Sequence, residues 1–261
     1  SDLFDPATLN LMDGFTRPMQ ANEFTGNVYW LGTDAQGRDL FSAILYGSRV
    51  SILVGFAAVA FAAVLGITLG LVAGYRGGWV DSLIMRVADV QLSFPAILVA
   101  LLIFGVFKGV VPPALHDKAA IYVLILAIGL SDWVQYARTV RSSTLAERNK
   151  EYVQAARVIG VPAPTILLRH ILPNVMGPVL VIATIGLALA IILESTLSFL
   201  GVGVPPTQPS LGTLIRVGQD YLFSGEWWIV LFPGLTLLLL ALSVNLLGDW
   251  LRDALNPRLR R

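Results

Sequence analysis

The chain has 261 residues, of which 56% are hydrophobic and 13% charged, where an ordinary soluble domain is roughly 25% charged, and its mean hydropathy is +0.73. No single aqueous core hides that much apolar surface, so the chain reads as an integral membrane protein. A net charge of +1 excludes the basic stripe of a nucleic-acid binder, and the lack of cysteine excludes disulfides, zinc-finger spacings and thiol chemistry.

From the N-terminus, residues 1–20 lack the basic-then-apolar pattern of a signal peptide. Residues 1–48 read as an extracytoplasmic segment with an interfacial helix. Within it, Trp30-Leu-Gly-Thr-Asp-Ala-Gln-Gly-Arg-Asp39 is a turn-rich patch, and Asp39 is placed to cap an amphipathic run at 40–46. Residues 49–250 form the membrane core. A spanning helix needs about 20 apolar residues, and 50–74, 87–107, 119–137, 176–197 and 229–247 meet this wholly or nearly. In the first span Gly66, Gly70 and Gly74 bare one face for close helix packing. In the second, Pro95 after Ser93 and Phe94 predicts a kink, read as shape rather than as a hinge. The six tryptophans fall near the ends of spans, where indole prefers the interface.

The connecting pieces 75–86 and 138–175 and the tail beyond Trp250 carry 12 of the 18 Lys and Arg; those on the opposite face carry 5, with Arg49 on the border. Basic loops stay cytoplasmic. This puts the N-terminus outside and the 251–261 tail inside. The outer loop 201–225 holds Pro205, Pro206 and Pro209 and a helical candidate at 211–217; it either docks an external partner or lids the bundle.

The polar loop 138–175 is the informative segment. Good helix formers run from Glu147 to Ile159, and Gly160 stands where a left-handed cap is wanted. Pro162 forbids continuation, Pro164 suits the first turn of a second short helix, and Pro173 is expected to end it after Leu172. Ala155 and Ala156 thin one side of the first helix enough to enter a groove. Arg148, Lys150, Arg157 and Arg169 suit either an acidic rim or anionic lipid headgroups, and these two readings stand level on composition.

Gln154-Ala-Ala156, three residues, Gly160, then Leu172-Pro173 resembles the loop signature of permease subunits of binding-protein-dependent ABC importers. Gln154 replaces the usual glutamate and His170 fills an isoleucine slot. Further stretches resemble the second permease of the dipeptide, oligopeptide and nickel branch: Trp30-Leu-Gly-Thr-Asp34, Gly77-Gly78, Arg169-His-Ile-Leu-Pro-Asn174, Leu197-Ser-Phe-Leu-Gly201, Phe232-Pro-Gly-Leu235 and Asn245-Leu-Leu-Gly-Asp249. The resemblance implies an all-α membrane protein of the type I ABC importer permease fold, with five transmembrane helices and a cytoplasmic coupling-helix loop. It also implies that the family's first transmembrane helix is absent from this chain, and that the natural product begins further upstream.

The implied coupling residues are Glu151, Tyr152, Gln154, Ala155, Ala156, Arg157, Gly160, Leu172 and Pro173. The implied partners are a homologous second permease, two cytoplasmic ATPases, an extracytoplasmic substrate-binding protein and the bilayer of a bacterial inner membrane. No Gly-x-x-x-x-Gly-Lys-Ser/Thr loop occurs, so this chain is not the ATPase. It is expected to be non-catalytic and without a cofactor, with ATP and Mg held by the ATPases. Half of a peptide pathway is the expected function; the same machinery importing nickel or another small solute is the alternative. An ATP-independent secondary transporter is a further alternative, which would show paired broken helices.

Ionisable residues at membrane depth are candidate functional groups. Glu194, near the outer end of the fourth span, either lines the translocation path or is a paired or snorkelling carboxylate. Asp132, in the third, either lines the path or pairs with Arg138 or Arg141.

Overall fold

The computed structural model describes residues 9–205 and 208–255. Helices dominate: α1 (Leu40–Arg76), α2 (Gly78–Leu92), α3 (Ala96–Val110), α4 (His116–Glu147), α5 (Glu151–Val158), α6 (Ala163–Thr165), α7 (Leu172–Phe199), α8 (Leu211–Gln219) and α9 (Trp228–Leu255). Among the described residues, four helical runs are long and apolar enough to cross a membrane, or five if the bent α2–α3 pair counts as one.

Three elements differ from the sequence expectation. The amphipathic run at 40–46 is not a separate interfacial helix. Asp39 caps it as expected, its Oδ2 accepting from the Ser42 amide at 2.8 Å and hydroxyl at 2.7 Å, but the run continues unbroken into the first span as α1. A glycine inside a helix costs only about 1 kcal/mol, and Gly47 there meets the Ser210 and Leu211 backbone. In the second span the expected break at Pro95 is present but is a corner rather than a bend within one helix: α2 and α3 diverge by 94°. Pro95 donates no amide, and the residue before a proline is pushed away from helical geometry. Ser93 and Phe94 close the end of α2 with bonds to Val90 and Gln91.

The helix begun near Pro164 does not stop at Pro173. It passes from α6 through a π-helical turn, Ile166–Ile171, into α7. In that turn the Leu172 amide reaches back five residues to the Leu167 carbonyl. The wider ring accommodates a proline that has no hydrogen to donate, and π-turns inside α-helices are a known way to do so.

The helices contribute to two compact units. One comprises the described parts of Ser1–Gly55, Phe104–Leu124 and Leu189–Ser243. Its N-terminal segment is tied around buried Asp13, whose carboxylate accepts from Asn10, Thr25, Asn27 and Tyr29. Burial pushes the Asp13 carboxyl up, but those four donors outweigh it and hold it below the usual carboxylate range; burial and the Asp13 bond raise the Tyr29 phenol to about 12. Gly32, at φ +79, lets the chain pass against the Trp228 indole, whose Nε1 donates to the Thr33 carbonyl at 3.2 Å. Below it, Leu40, Ala43, Ile44, Leu211, Leu214, Trp228 and Ile229 form an apolar core.

The second unit comprises Phe56–Ile103, Ile125–Ala188 and the described part of Val244–Arg261. Here the glycine stripe of α1 lies on α4. A β-carbon at Gly70 would sit 2.6 Å from the Ala137 carbonyl oxygen and 2.8 Å from the Val140 β-carbon. Polar clasps fix α2 on α4: Asp81 pairs with Arg141 and Asp89 with Arg138, and the Gln91 amide accepts from Trp133 Nε1 at 2.7 Å while donating to the Leu130 carbonyl. The α1–α4 contact yields a prediction. Gly70→Val overpacks it and lowers stability by about 1–3 kcal/mol, whereas Gly105→Ala, with open space around it, stays within about 0.5 kcal/mol of wild type. Denaturant titration of the purified subunit checks this; equal stability of both variants contradicts it.

Candidate functional site

The loop after α4 is a stiff helical elbow. α5 ends in a complete left-handed cap: the Gly160 amide donates to Arg157 and the Val161 amide to Ala156, each near 3 Å, with Gly160 at φ +82. This is the double bond pattern that terminates a helix on glycine. Val153 and Ala156 are buried, and α5 packs on the π-turn, whose Ile166 and Ile171 are buried as well.

Three clamps hold the elbow. The Tyr152 hydroxyl donates to Glu147 at the end of α4 at 2.6 Å and accepts from Asn174 Nδ2 at 3.3 Å. Desolvation, then the hydrogen bond to Glu147, raise this phenol to about 12. Asn174 also donates to the His170 carbonyl at 2.7 Å, satisfying backbone near the π-turn. Arg148 Nη1 donates to the Gly74 carbonyl at 2.8 Å, a cation on the carbonyl end of α1, where helix dipole and orphan acceptors favour it. The Arg157 guanidinium lies 4.8 Å from the centre of the Tyr75 ring.

The expected coupling residues therefore divide. Tyr152 and Arg157 clamp, and Ala156 faces inward. Glu151, Gln154, Ala155 and Gly160 are exposed, as is Pro173, with Leu172 half-buried. Spacing by three and four places Gln154, Ala155, Val158 and Ile159 on one face. Val158 is 87% and Ile159 78% exposed. The sequence reading passed over these two. For Val158 the available signal is that it falls outside the i, i+3 register of Val153 and Ala156; Ile159 falls within that register but lies just past the last residue of α5, at its C-cap, so spacing alone does not announce its exposure.

Glu194 is buried, with an exposure of 0%, and no cation among the described residues lies within 4 Å of it. Its carboxylate is ringed by the hydroxyls of Ser51, Ser195, Ser198 and Ser210. Three of these also accept from backbone amides: Ser198 from Val204 at 3.1 Å, Ser210 from Thr213 at 3.2 Å and Ser51 from Leu211 at 3.4 Å. One carboxylate thus orients the hydroxyls that hold the segment entering α8. Asp132 is half-buried, and its expected partners are engaged elsewhere, Arg138 with Asp89 and Arg141 with Asp81. Glu194→Ala leaves the hydroxyls without their common acceptor. Each lost buried bond is worth about 1–3 kcal/mol, so amide exchange at Val204, Leu211 and Thr213 should quicken by about fivefold or more in that variant; unchanged exchange contradicts this role.

Residues 66–261 match the family described as binding-protein-dependent transport system inner membrane component. The dipeptide transport system permease protein DppC of Alkalihalophilus pseudofirmus is 37% identical over 258 residues, 99% of this chain and 81% of that protein. A putative peptide transport system permease protein of Brucella suis is 42% identical over 90% of this chain and 75% of its own length. The glutathione transport system permease protein GsiD of Pectobacterium atrosepticum is 36% identical over 92% of this chain and 76% of its own. In fold, a chain of the inward-facing MetNI methionine ABC transporter superposes with a TM-score of 0.64 at 19% identity, covering 83% of this chain and 98% of that one. The clamped elbow with its glycine cap and the set of apolar spans are thus found on a chain that belongs to the binding-protein-dependent transport system inner-membrane components, with the all-α permease fold of type I ABC importers.

Proposed function

We propose that this chain forms half of the translocation pathway of an ATP-driven importer of short peptides, and that the exposed face of α5 is where an ATPase partner applies force. The names carried by relatives at 36–42% identity support the peptide assignment. The observation that carries the coupling assignment is the pairing of an exposed apolar tip, Val158 and Ile159, with a base clamped to α1, α4 and α7 by Arg157, Arg148 and Tyr152. A lever needs a gripping surface and a rigid root.

In this reading the elbow, the basic loops and the C-terminus face the cytoplasm and the N-terminal segment lies outside, as the Lys and Arg distribution indicates. Two ATPases bind ATP and Mg and close on each other. The elbow follows, and the helices rooted in it move as rigid bodies between inward-open and outward-open packings. A second, homologous permease completes the pathway and an extracytoplasmic binding protein delivers the peptide. This chain performs no chemistry and brings no cofactor.

Two substitutions test the assignment. Burying a large aliphatic side chain stabilises an interface by about 1.5–3 kcal/mol, so Val158→Asp with Ile159→Asp should weaken retention of the ATPase by at least about tenfold and abolish peptide uptake in proteoliposomes, while the subunit still inserts. Gly160→Val forces a β-branched residue to φ +82 and strains the cap, so hydrolysis should continue with uptake reduced. Full uptake and ATPase retention in the double variant would overturn the assignment.

A further inference from the structure

A cavity of about 290 Å³ opens in the first unit, between the end of α3, the start of α4, the segment after α7 and α8. That volume lies at the lower edge of the range for small-molecule sites. Its walls are Phe104, Phe107, Ala120, Val204, Pro205 and Val217, and its charged groups are Lys108, Asp117 and Arg216, with His116 beside them. Neither cation has a carboxylate of the described residues within 4 Å, although Asp117 borders the same space.

Each basic group is held by something other than an acid. The Lys108 ammonium lies 5.4 Å from the centre of the Phe104 ring. The Arg216 guanidinium rests against Gly201, where φ +80 and the missing side chain leave room for it. The His116 ring donates through Nε2 to the Val111 carbonyl at 2.8 Å and lies 5.5 Å from the Phe107 ring. An aromatic ring and a glycine position a cation without neutralising it, so its charge is left for a ligand. Two positive heads over apolar walls suit a small solute with a carboxylate at one end and an apolar side chain at the other. The lone Asp117 supplies an acceptor for an ammonium on the same solute.

We infer that this cavity is a subsite for the carboxylate terminus of a dipeptide-sized solute, with Lys108 and Arg216 as its counter-charges. The inference rests on the import function proposed above and names where the solute is first met on the outer side of this subunit. Fork-shaped guanidinium donors pair two-pronged with carboxylates, and a lysine adds a point charge. A solute longer than about two residues does not fit the volume, so the subsite reads one end of a longer peptide and the whole of a short one.

The test is equilibrium binding of radiolabelled alanyl-phenylalanine to the assembled transporter in phosphatidylcholine nanodiscs, with neither binding protein nor ATP. Saturable binding is expected, competed by the unlabelled peptide and at least about tenfold less well by its C-terminal amide. Lys108→Gln with Arg216→Gln should remove the preference for the acid, and Arg216→Lys should retain part of it, both variants melting at the wild-type temperature. Three results overturn the subsite: no saturable binding to wild type, equal competition by acid and amide, or wild-type discrimination by the double variant. Loss of binding on adding phosphatidylglycerol assigns the cavity to lipid headgroups and overturns it too. ATP-driven uptake by the wild-type assembly with its binding protein is measured in parallel. Uptake without a subsite rejects this inference alone, and absence of uptake rejects the import function.

Discussion

Arg148 donating to the last carbonyls of α1 is the contact on which the elbow depends. A helix end presents four unsatisfied carbonyls, and at the end of α1 the Gly74 oxygen receives an arginine from the segment that leads into α5. Arg157 over Tyr75 adds a second fixation from the far end of α5. Between them Tyr152 bridges Glu147 and Asn174. An eight-residue helix is too short to be stable in water by itself, so its rigidity is borrowed from α1, α4 and α7 through these three side chains. The tip is free to offer Val158 and Ile159 because the root needs only Val153 and Ala156 for packing.

The other unit is organised by carboxylates that act as acceptor hubs. Asp13 collects four donors from a short stretch of chain and ties the N-terminal segment into a knot. Glu194 collects serine hydroxyls from α1, α7 and the cap of α8. A buried carboxylate is costly unless its lone pairs are filled, and here hydroxyls fill them. Those hydroxyls remain able to accept backbone amides, so a single side chain satisfies both itself and the irregular chain around it. Helices α1, α3, α4, α7 and α9 each contribute residues to both units.

What was legible in the sequence had local causes. Gly160 as a left-handed cap, Asp39 as a helix start and the four-residue glycine spacing of α1 each follow from the stereochemistry of a few neighbouring residues, and each stands as read. The proline readings went astray where the outcome depends on what surrounds the break. Pro173 is absorbed where the helix widens into a π-turn and the Asn174 side chain donates to the His170 carbonyl beside it, whereas Pro95 stands at a 94° corner. Glu194 was recognisable as an unusual residue, but Ser51 and Ser210 lie 143 positions before it and 16 after it. Only the fold brings them to its carboxylate. Asp132 was given Arg138 and Arg141 as partners by helical proximity; both arginines turn instead to α2, whose placement no local pattern encodes.

Because the chain has no cysteine, one introduced at Ile159 is unique within it, and its surroundings can be read directly by site-specific crosslinking in the assembled transporter. The account predicts that Ile159→Cys forms a crosslink to the ATPase subunit in high yield and is shielded from aqueous thiol reagents when the ATPase is bound. A crosslink to lipid-phase reagents alone, with no ATPase adduct under any nucleotide condition, would contradict it.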